Sequence, residues 1–249
     1  MKKKIKGFYL LISSLVIAIL NLPFAFARSA TGNKLFFHPA DSATKKIINS
    51  THLLPAIRSV YDSLHLSFAG LSQQAFDYAK KGLNKLIEEG RLLNDSIISI
   101  IDFSEPSNKK RLFILDLKNY KVLFNTLVAH GRNTGREWAT YFYNQGSSFM
   151  SSPGFYITGE TYEGKNGYSL KLEGIENGIN DNAFDRGIVI HGADYVSDNF
   201  VNTQGYIGRS QGCPAVPVQA SRPIINTIKN GTCLFIYHPS YVNRSSMLN

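Results

Sequence analysis

Residues 97–129 read IISIIDFSEPSNKKRLFILDLKNYKVLFNTLVA, and this stretch decides the fold class. Upstream of it, apolar residues recur at helical spacing. From Ile97 the pattern changes to short apolar runs broken by polar turns, which is the signature of strands. Ile97 to Phe103, Arg111 to Leu117 and Lys121 to Ala129 each suit one strand, and Lys118-Asn119 is a polar connection short enough for a hairpin. Further runs follow at Gly154 to Thr158, Ser169 to Leu172, Gly187 to His191 and Thr232 to Tyr237. Glycine and asparagine concentrate between Gly159 and Asn182, where tight loops are expected. A short helix is expected over 219–229. The class is therefore α+β, with a β-rich body, sandwich or barrel-like, over residues 96–240.

Working outward, Ser72 is a helix cap followed by Ala75, Phe76, Ala79, Leu83, Leu86 and Ile87 on one face, with Gly90 as the stop. The segment from Lys45 to Leu66 carries a looser helical pattern, with Pro55 starting a helix at its first turn. Residues 28–95 thus form a helical N-terminal extension that reads as scaffold. Before it, Lys2, Lys3, Lys4 and Lys6 head an apolar run from Phe8 to Leu20, and Ala25-Phe26-Ala27 offers a small-x-small cleavage pattern. Residues 1–27 are expected to be a removable export signal, since the apolar core falls short of the roughly 20 residues a membrane span needs. No later segment is apolar enough to span, and residues 241–249 read as a polar, mobile tail.

The chain carries a net charge of +9, of which four positive charges belong to the lysines of the leader, leaving a moderate +5. The longest basic cluster, Lys109-Lys110-Arg111, is too small for a nucleic-acid face. A mild positive balance suits an anionic polymer of the cell envelope.

Two cysteines in an exported chain ordinarily suggest a disulfide. Their settings differ, however. Cys233 lies within the strand-like run Thr232 to Tyr237, where a small buried thiol is unremarkable. Cys213 lies in Gly208-Arg209-Ser210-Gln211-Gly212-Cys213-Pro214, a glycine-flanked polar turn of the kind that exposes a reactive group. The run Ile188-Val189-Ile190 delivers His191 to a strand end, and Gly192 lets the chain turn there. A thiol is mostly protonated at neutral pH, so a cysteine nucleophile needs such a base. Gly212 and Ser210 frame the nucleophile loop, where backbone N–H groups can face an oxyanion.

These residues resemble the L,D-transpeptidase catalytic domain, in which His-Gly precedes Ser/Thr-x-Gly-Cys. The likeness extends to Leu127-Val128-Ala129-His130-Gly131-Arg132-Asn133-Thr134-Gly135, to Ser152-Pro153-Gly154-Phe155-Tyr156 and to His191-Gly192-Ala193-x-Tyr195-Val196-Ser197, an ordered set similar to the murein L,D-transpeptidase-type branch. It covers residues 97–238, and the preceding helices are similar as well. The resemblance implies a periplasmic or envelope enzyme that acts without cofactor or metal. Cys213 would attack the carbonyl before the terminal D-Ala of a peptidoglycan tetrapeptide stem, form a thioester and pass the acyl group to an amine. Water as acceptor would give carboxypeptidase activity instead.

Two departures stand out. Many relatives have His between the Ser and Gly of the motif and Arg soon after the Cys, where this chain has Gln211 and Pro214-Ala215-Val216. Arg209 is the candidate for binding the substrate carboxylate, because a guanidinium suits bidentate recognition and it sits in the same turn. Gly192 and His130, the latter also ending an apolar run, are candidates for lining the substrate cleft. The residue that orients His191 leaves no sequence trace if it is a backbone carbonyl. Trp138, Tyr141, Phe142 and Tyr143 read as loop packing, with a cover over a sugar or peptide as the alternative, and His38, His52, His65 and His238 stand in no motif.

Two other functions compete. One is a metallohydrolase with His130, His191 and Cys213 as ligands, since catalytic zinc accepts three protein ligands, but the sequence has no HExxH helix or closely paired ligands to support it. The other is a non-catalytic wall-binding module stapled by a Cys213–Cys233 disulfide, a closure that could add about 3 kcal/mol. Oligomeric state has no signature in the sequence.

Overall fold

The computed structural model describes residues 59–249. The expected leader over 1–27, most of the helical segment beginning at Lys45, and His38 and His52 lie outside the described residues.

Two single-turn helices open the described chain, α1 (Val60–Ser63) and α2 (Leu66–Ala69), followed by the long helix α3 (Gln73–Glu88). The Ser72 hydroxyl accepts from Ala75 N at 3.2 Å, satisfying one of the amides a helix start leaves free. Gly90 adopts φ 63° after the last turn, the left-handed setting glycine permits. Ala75, Phe76, Ala79, Leu83 and Leu86 are all buried on one face of α3. Each fully buried leucine or phenylalanine contributes about 1.5–3 kcal/mol by leaving water.

That face rests on an eight-stranded sheet: β1 (Ile97–Asp102), β2 (Leu112–Asp116), β3 (Lys121–Thr126), β4 (Gly154–Gly164), β5 (Gly167–Gly174), β6 (Val189–Gly192), β7 (Ala215–Val216) and β8 (Cys233–Tyr237). The spatial order is β3-β2-β1-β8-β4-β5-β6-β7. The β1–β8 and β6–β7 pairs are parallel, and the other neighbours are antiparallel. Beyond β3 the chain returns to the far edge, where Ala129 bridges Ala215 and Gly131 bridges Ser210. The result is the expected α+β architecture, with a nearly closed, barrel-like sheet.

Alternation of side chains divides the core in two. On β8, Cys233, Phe235 and Tyr237 join the cluster under α3, while Leu234 and Ile236 join the opposite cluster. That second cluster is completed by Ile224, Ile225 and Ile228 of helix α5 (Val218–Ile228), close to the expected helix over 219–229. Another helix, α4 (Asp198–Gln204), lies between β6 and β7.

Several boundaries differ from the sequence reading. β4 continues to Gly164 and pairs with β5 down to Gly164↔Gly167, so the stretch expected as loops is largely a long hairpin. The two-residue β7 and the seven-residue α4 are too short to leave a periodic signal. The C-terminal tail is corrected outright. Residues 239–244 form a 3₁₀ turn, and Met247 and Leu248 are buried in the cluster beneath α3. Lys85 Nζ donates to Ser246 O at 2.8 Å, and Ser245 Oγ donates at 2.6 Å to the fully buried Glu176.

Candidate active site

β6 and the loop before β7 meet side by side, with His191 in register with Ala215. This pairing brings His191 and Cys213 to one cleft of about 690 Å³, with Gly192, Arg209, Ser210 and Gln211 in its lining. Both reacting candidates are largely buried, Cys213 at 9% and His191 at 6% exposure.

The imidazole is oriented by a backbone group. Its Nδ1 is 2.9 Å from Gly192 O, to which it donates, and this leaves Nε2 as the proton acceptor. Burial pushes the His191 pKa below the ordinary imidazole value, partly countered by that hydrogen bond. The Cys213 thiol donates to Gly187 O at 3.7 Å, and its sulfur accepts from Val189 N at 3.5 Å. Sulfur and imidazole line the same cleft without a hydrogen bond between them. Burial pushes the thiol above its ordinary value, and the Val189 N–H and the charge of Arg186 pull it partly back.

The loop carrying Cys213 is tied off by Ser210. Its hydroxyl donates to Cys213 O at 2.6 Å and accepts from Gly212 N at 3.0 Å. The Gly212 amide is therefore committed within the loop and does not face the cleft. Gly212 is nonetheless required by shape: its φ is 124°, and a Cβ there would lie 2.9 Å from Met150 O.

His130 is where the sequence expectation and the structure part. It is fully buried and does not line the cleft. Arg111, itself fully buried, stands with Nη2 2.8 Å from His130 Nδ1 and donates to it, while His130 Nε2 donates to Gly135 O at 3.2 Å. Both ring nitrogens are occupied, and burial beside that guanidinium pushes its pKa down to about 3. The segment around it braces the loop that carries Cys213 instead. His130 O accepts from Ser210 N at 2.9 Å, and Ser151 Oγ links Gly131 N to Gly212 O. A metal site built from His130, His191 and Cys213 does not form, since His130 is turned into the core. The proposed staple does not form either: Cys213 and Cys233 are both free thiols and belong to clusters on opposite faces of the sheet.

Arg209 lines the cleft and donates to Gly135 O at 3.3 Å. Phe142 packs inward, its ring stacked on Phe103 at 6.3 Å, whereas Trp138, Tyr141 and Tyr143 are at least half exposed. His238 caps the 3₁₀ turn at 239–244 through Ser240 N, and His65 precedes α2. Three charged contributors to the cleft, Lys165, Arg186 and Asp194, were not singled out from sequence. Arg186, immediately before the turn into β6, lines the cleft with Cys213, and its only linear signal is a cation next to the run that delivers His191. With Lys165 and Arg209 it gives the lining three cations against one carboxylate, Asp194.

The sequence model of the L,D-transpeptidase catalytic domain matches residues 68–237, well over half of the chain, and the chain belongs to that family. A comparison with curated proteins found no match. Among solved structures, an L,D-transpeptidase from Mycobacterium smegmatis is 10% identical with a TM-score of 0.37, over 57% of this chain and 59% of that one. L,D-transpeptidase 3 from Mycobacterium tuberculosis is 11% identical with a TM-score of 0.35, over 57% and 61%. The helical cell shape determining protein Pgp2 from Campylobacter jejuni is 13% identical with a TM-score of 0.39, over 68% and 57%. The chain spans less than two thirds of the length of each of these structures. No helix among the described residues is long and apolar enough to cross a membrane.

Proposed function

We propose that the protein is an exported cysteine acyltransferase, an L,D-transpeptidase acting on peptidoglycan tetrapeptide stems, with Cys213 as nucleophile and His191 as general base. The observation that carries this is the shared cleft: a thiol and an imidazole with a free Nε2, lined by an excess of positive charge. A peptide stem bearing carboxylates complements that charge.

His191 Nε2 takes the thiol proton, and the sulfur electron pair attacks the carbonyl preceding the terminal D-Ala. A direct S–H to imidazole bond is not needed beforehand, because such contacts are often long until substrate binds. The negative oxygen is stabilised by the Cys213 N–H at the turn that carries the sulfur. Collapse breaks the amide, the departing amine of D-Ala takes the proton from His191, and a thioester remains. An acceptor amine then attacks the thioester, giving its proton to His191 Nε2, and Cys213 leaves as thiolate and recovers that proton from His191. One amide is exchanged for another, so no nucleotide or other cofactor is consumed. Arg209 recognises a substrate carboxylate, Gly192 admits the peptide beside His191, and Ser210 with Gly212 holds the nucleophile loop. His130 acts from below that loop. Residues 1–27 direct export to the periplasm or envelope, 28–95 support the catalytic body over 96–240, and peptidoglycan stems are the partners.

The test is D-Ala release and dimer formation from purified muropeptides, read by mass spectrometry. Cys213→Ala is expected to abolish both and His191→Ala to slow them about 10²- to 10⁴-fold. Cys233→Ala is expected to retain them. Full activity in Cys213→Ala refutes the assignment, and release of D-Ala without dimers identifies water as the acceptor.

A further inference from the structure

The cation beside the nucleophile is held in an unusual way for a surface arginine. Arg186 is half-buried, and its Nη1 donates to Ser152 Oγ at 2.7 Å and Tyr143 O at 3.2 Å. Its Nη2 donates to Met150 O at 2.5 Å and Ser148 Oγ at 3.4 Å. All four acceptors are neutral, and none of the ion pairs among the described residues involves Arg186. A full positive charge is thus fixed in the wall of the cleft with no carboxylate paired to it among the described residues, although desolvating it is costly. Neutral donors could pin the 143–152 loop without that cost, so the charge calls for an explanation of its own.

Its neighbour supplies one. Arg186 Nη2 lies 3.3 Å from the point where a Cβ on Gly212 would stand, one residue before Cys213. The Cys213 thiol donates to the carbonyl of Gly187, the residue directly after Arg186. The guanidinium and the sulfur therefore flank the same two glycines. The remaining ionisable groups of the cleft are His191, Asp194, Tyr195, Lys165 and Arg209. Of these, His191 has its Nδ1 turned to Gly192 O and makes no hydrogen bond to the sulfur. A buried thiolate with no positive partner is scarce at neutral pH.

We propose that Arg186 is the fixed cation that stabilises the Cys213 thiolate, a positioning residue for the reaction above rather than a ligand of the loop alone. This rests on Cys213 being the nucleophile. The S–H bond breaks, the proton passes to His191 Nε2, and the electron pair left on sulfur faces the guanidinium. The anion then does not depend on an imidazolium contact for its stability.

The experiment is the pH dependence of iodoacetamide alkylation at Cys213 in the folded full chain, followed by mass spectrometry, for wild type, R186Q and R186K. R186Q is expected to move the midpoint upward by about one pH unit and so slow alkylation at neutral pH about tenfold. R186K keeps the charge while losing the forked bonds, and its profile is expected to stay near that of wild type. A wild-type profile in R186Q, or an R186K profile as displaced as that of R186Q, overturns the proposal. If R186Q does not fold, R186K alone decides it, since an upward displacement there contradicts a role for charge. D-Ala release by wild type carrying stoichiometric alkylation at Cys213 separates the two readings. Persistent release sinks the nucleophile itself, whereas lost release with an unmoved R186Q profile sinks only Arg186.

Discussion

His130 and His191 stand in nearly the same sequence context, an apolar run ending in His-Gly, yet their fates diverge. The difference is made by Arg111, distant in sequence, whose guanidinium occupies one ring nitrogen of His130 in the core. His191 instead finds only Gly192 O and keeps a free nitrogen in the cleft. The divergence has a measurable consequence. His130 has a folded pKa of about 3 against an ordinary 6.5, so between those values the unfolded chain binds a proton that the folded chain refuses. Stability must therefore rise with pH across that window and fall on acidification below 6.5, by up to about 1.4 kcal/mol per pH unit. Denaturant unfolding of wild type and H130Q between pH 7 and 4 checks this: the difference between them should shrink as pH falls. A difference independent of pH contradicts it. That Cys213 and His191 line one cleft follows from turn chemistry and a strand end that mark each of them locally. The inward turn of His130 has no such local mark, because its cause is a tertiary contact.

Among the elements, the α3 pattern was legible from its cap to Leu86, since propensity and periodicity agree there, whereas Ile87, expected on the same face, is exposed. Gly82 is the exception that periodicity does not explain. It lies mid-helix, where glycine costs about 1 kcal/mol relative to alanine. A Cβ at that position would sit 2.0 Å from the Phe155 ring of β4, so the helix lies on the sheet only because the side chain is missing. Gly82→Ala is accordingly expected to destabilise by about 1–3 kcal/mol through overpacking, against the gain in helix propensity. Thermal unfolding of the variant measures the sign, and a stabilised protein would show the contact to be soft. The tail defeated composition for a related reason. Met247 and Leu248 are two apolar residues in a polar sequence, and their burial depends on α3 and on Glu176, which receives the Ser245 hydroxyl.

On the scale of the whole molecule, the sheet order sets the site. The β6–β7 edge closes against residues 129–131, and this closure brings Cys213, His191 and the positive wall into one cleft. The same sheet holds Cys233 on its other face, beneath α3, which leaves Cys213 a free thiol. Strand runs foretold the body of this sheet, but the closing edge is made from a two-residue strand and isolated bridges that no periodicity announces. In the proposed reaction the sulfur of Cys213 becomes acylated in turnover. Intact-mass measurement of the protein incubated with a tetrapeptide muropeptide, followed by peptide mapping, tests it directly. An adduct equal to the stem without its terminal D-Ala is expected on Cys213 and absent from C213A. Turnover of the muropeptide with the acyl group on any other residue, or by C213A, contradicts it.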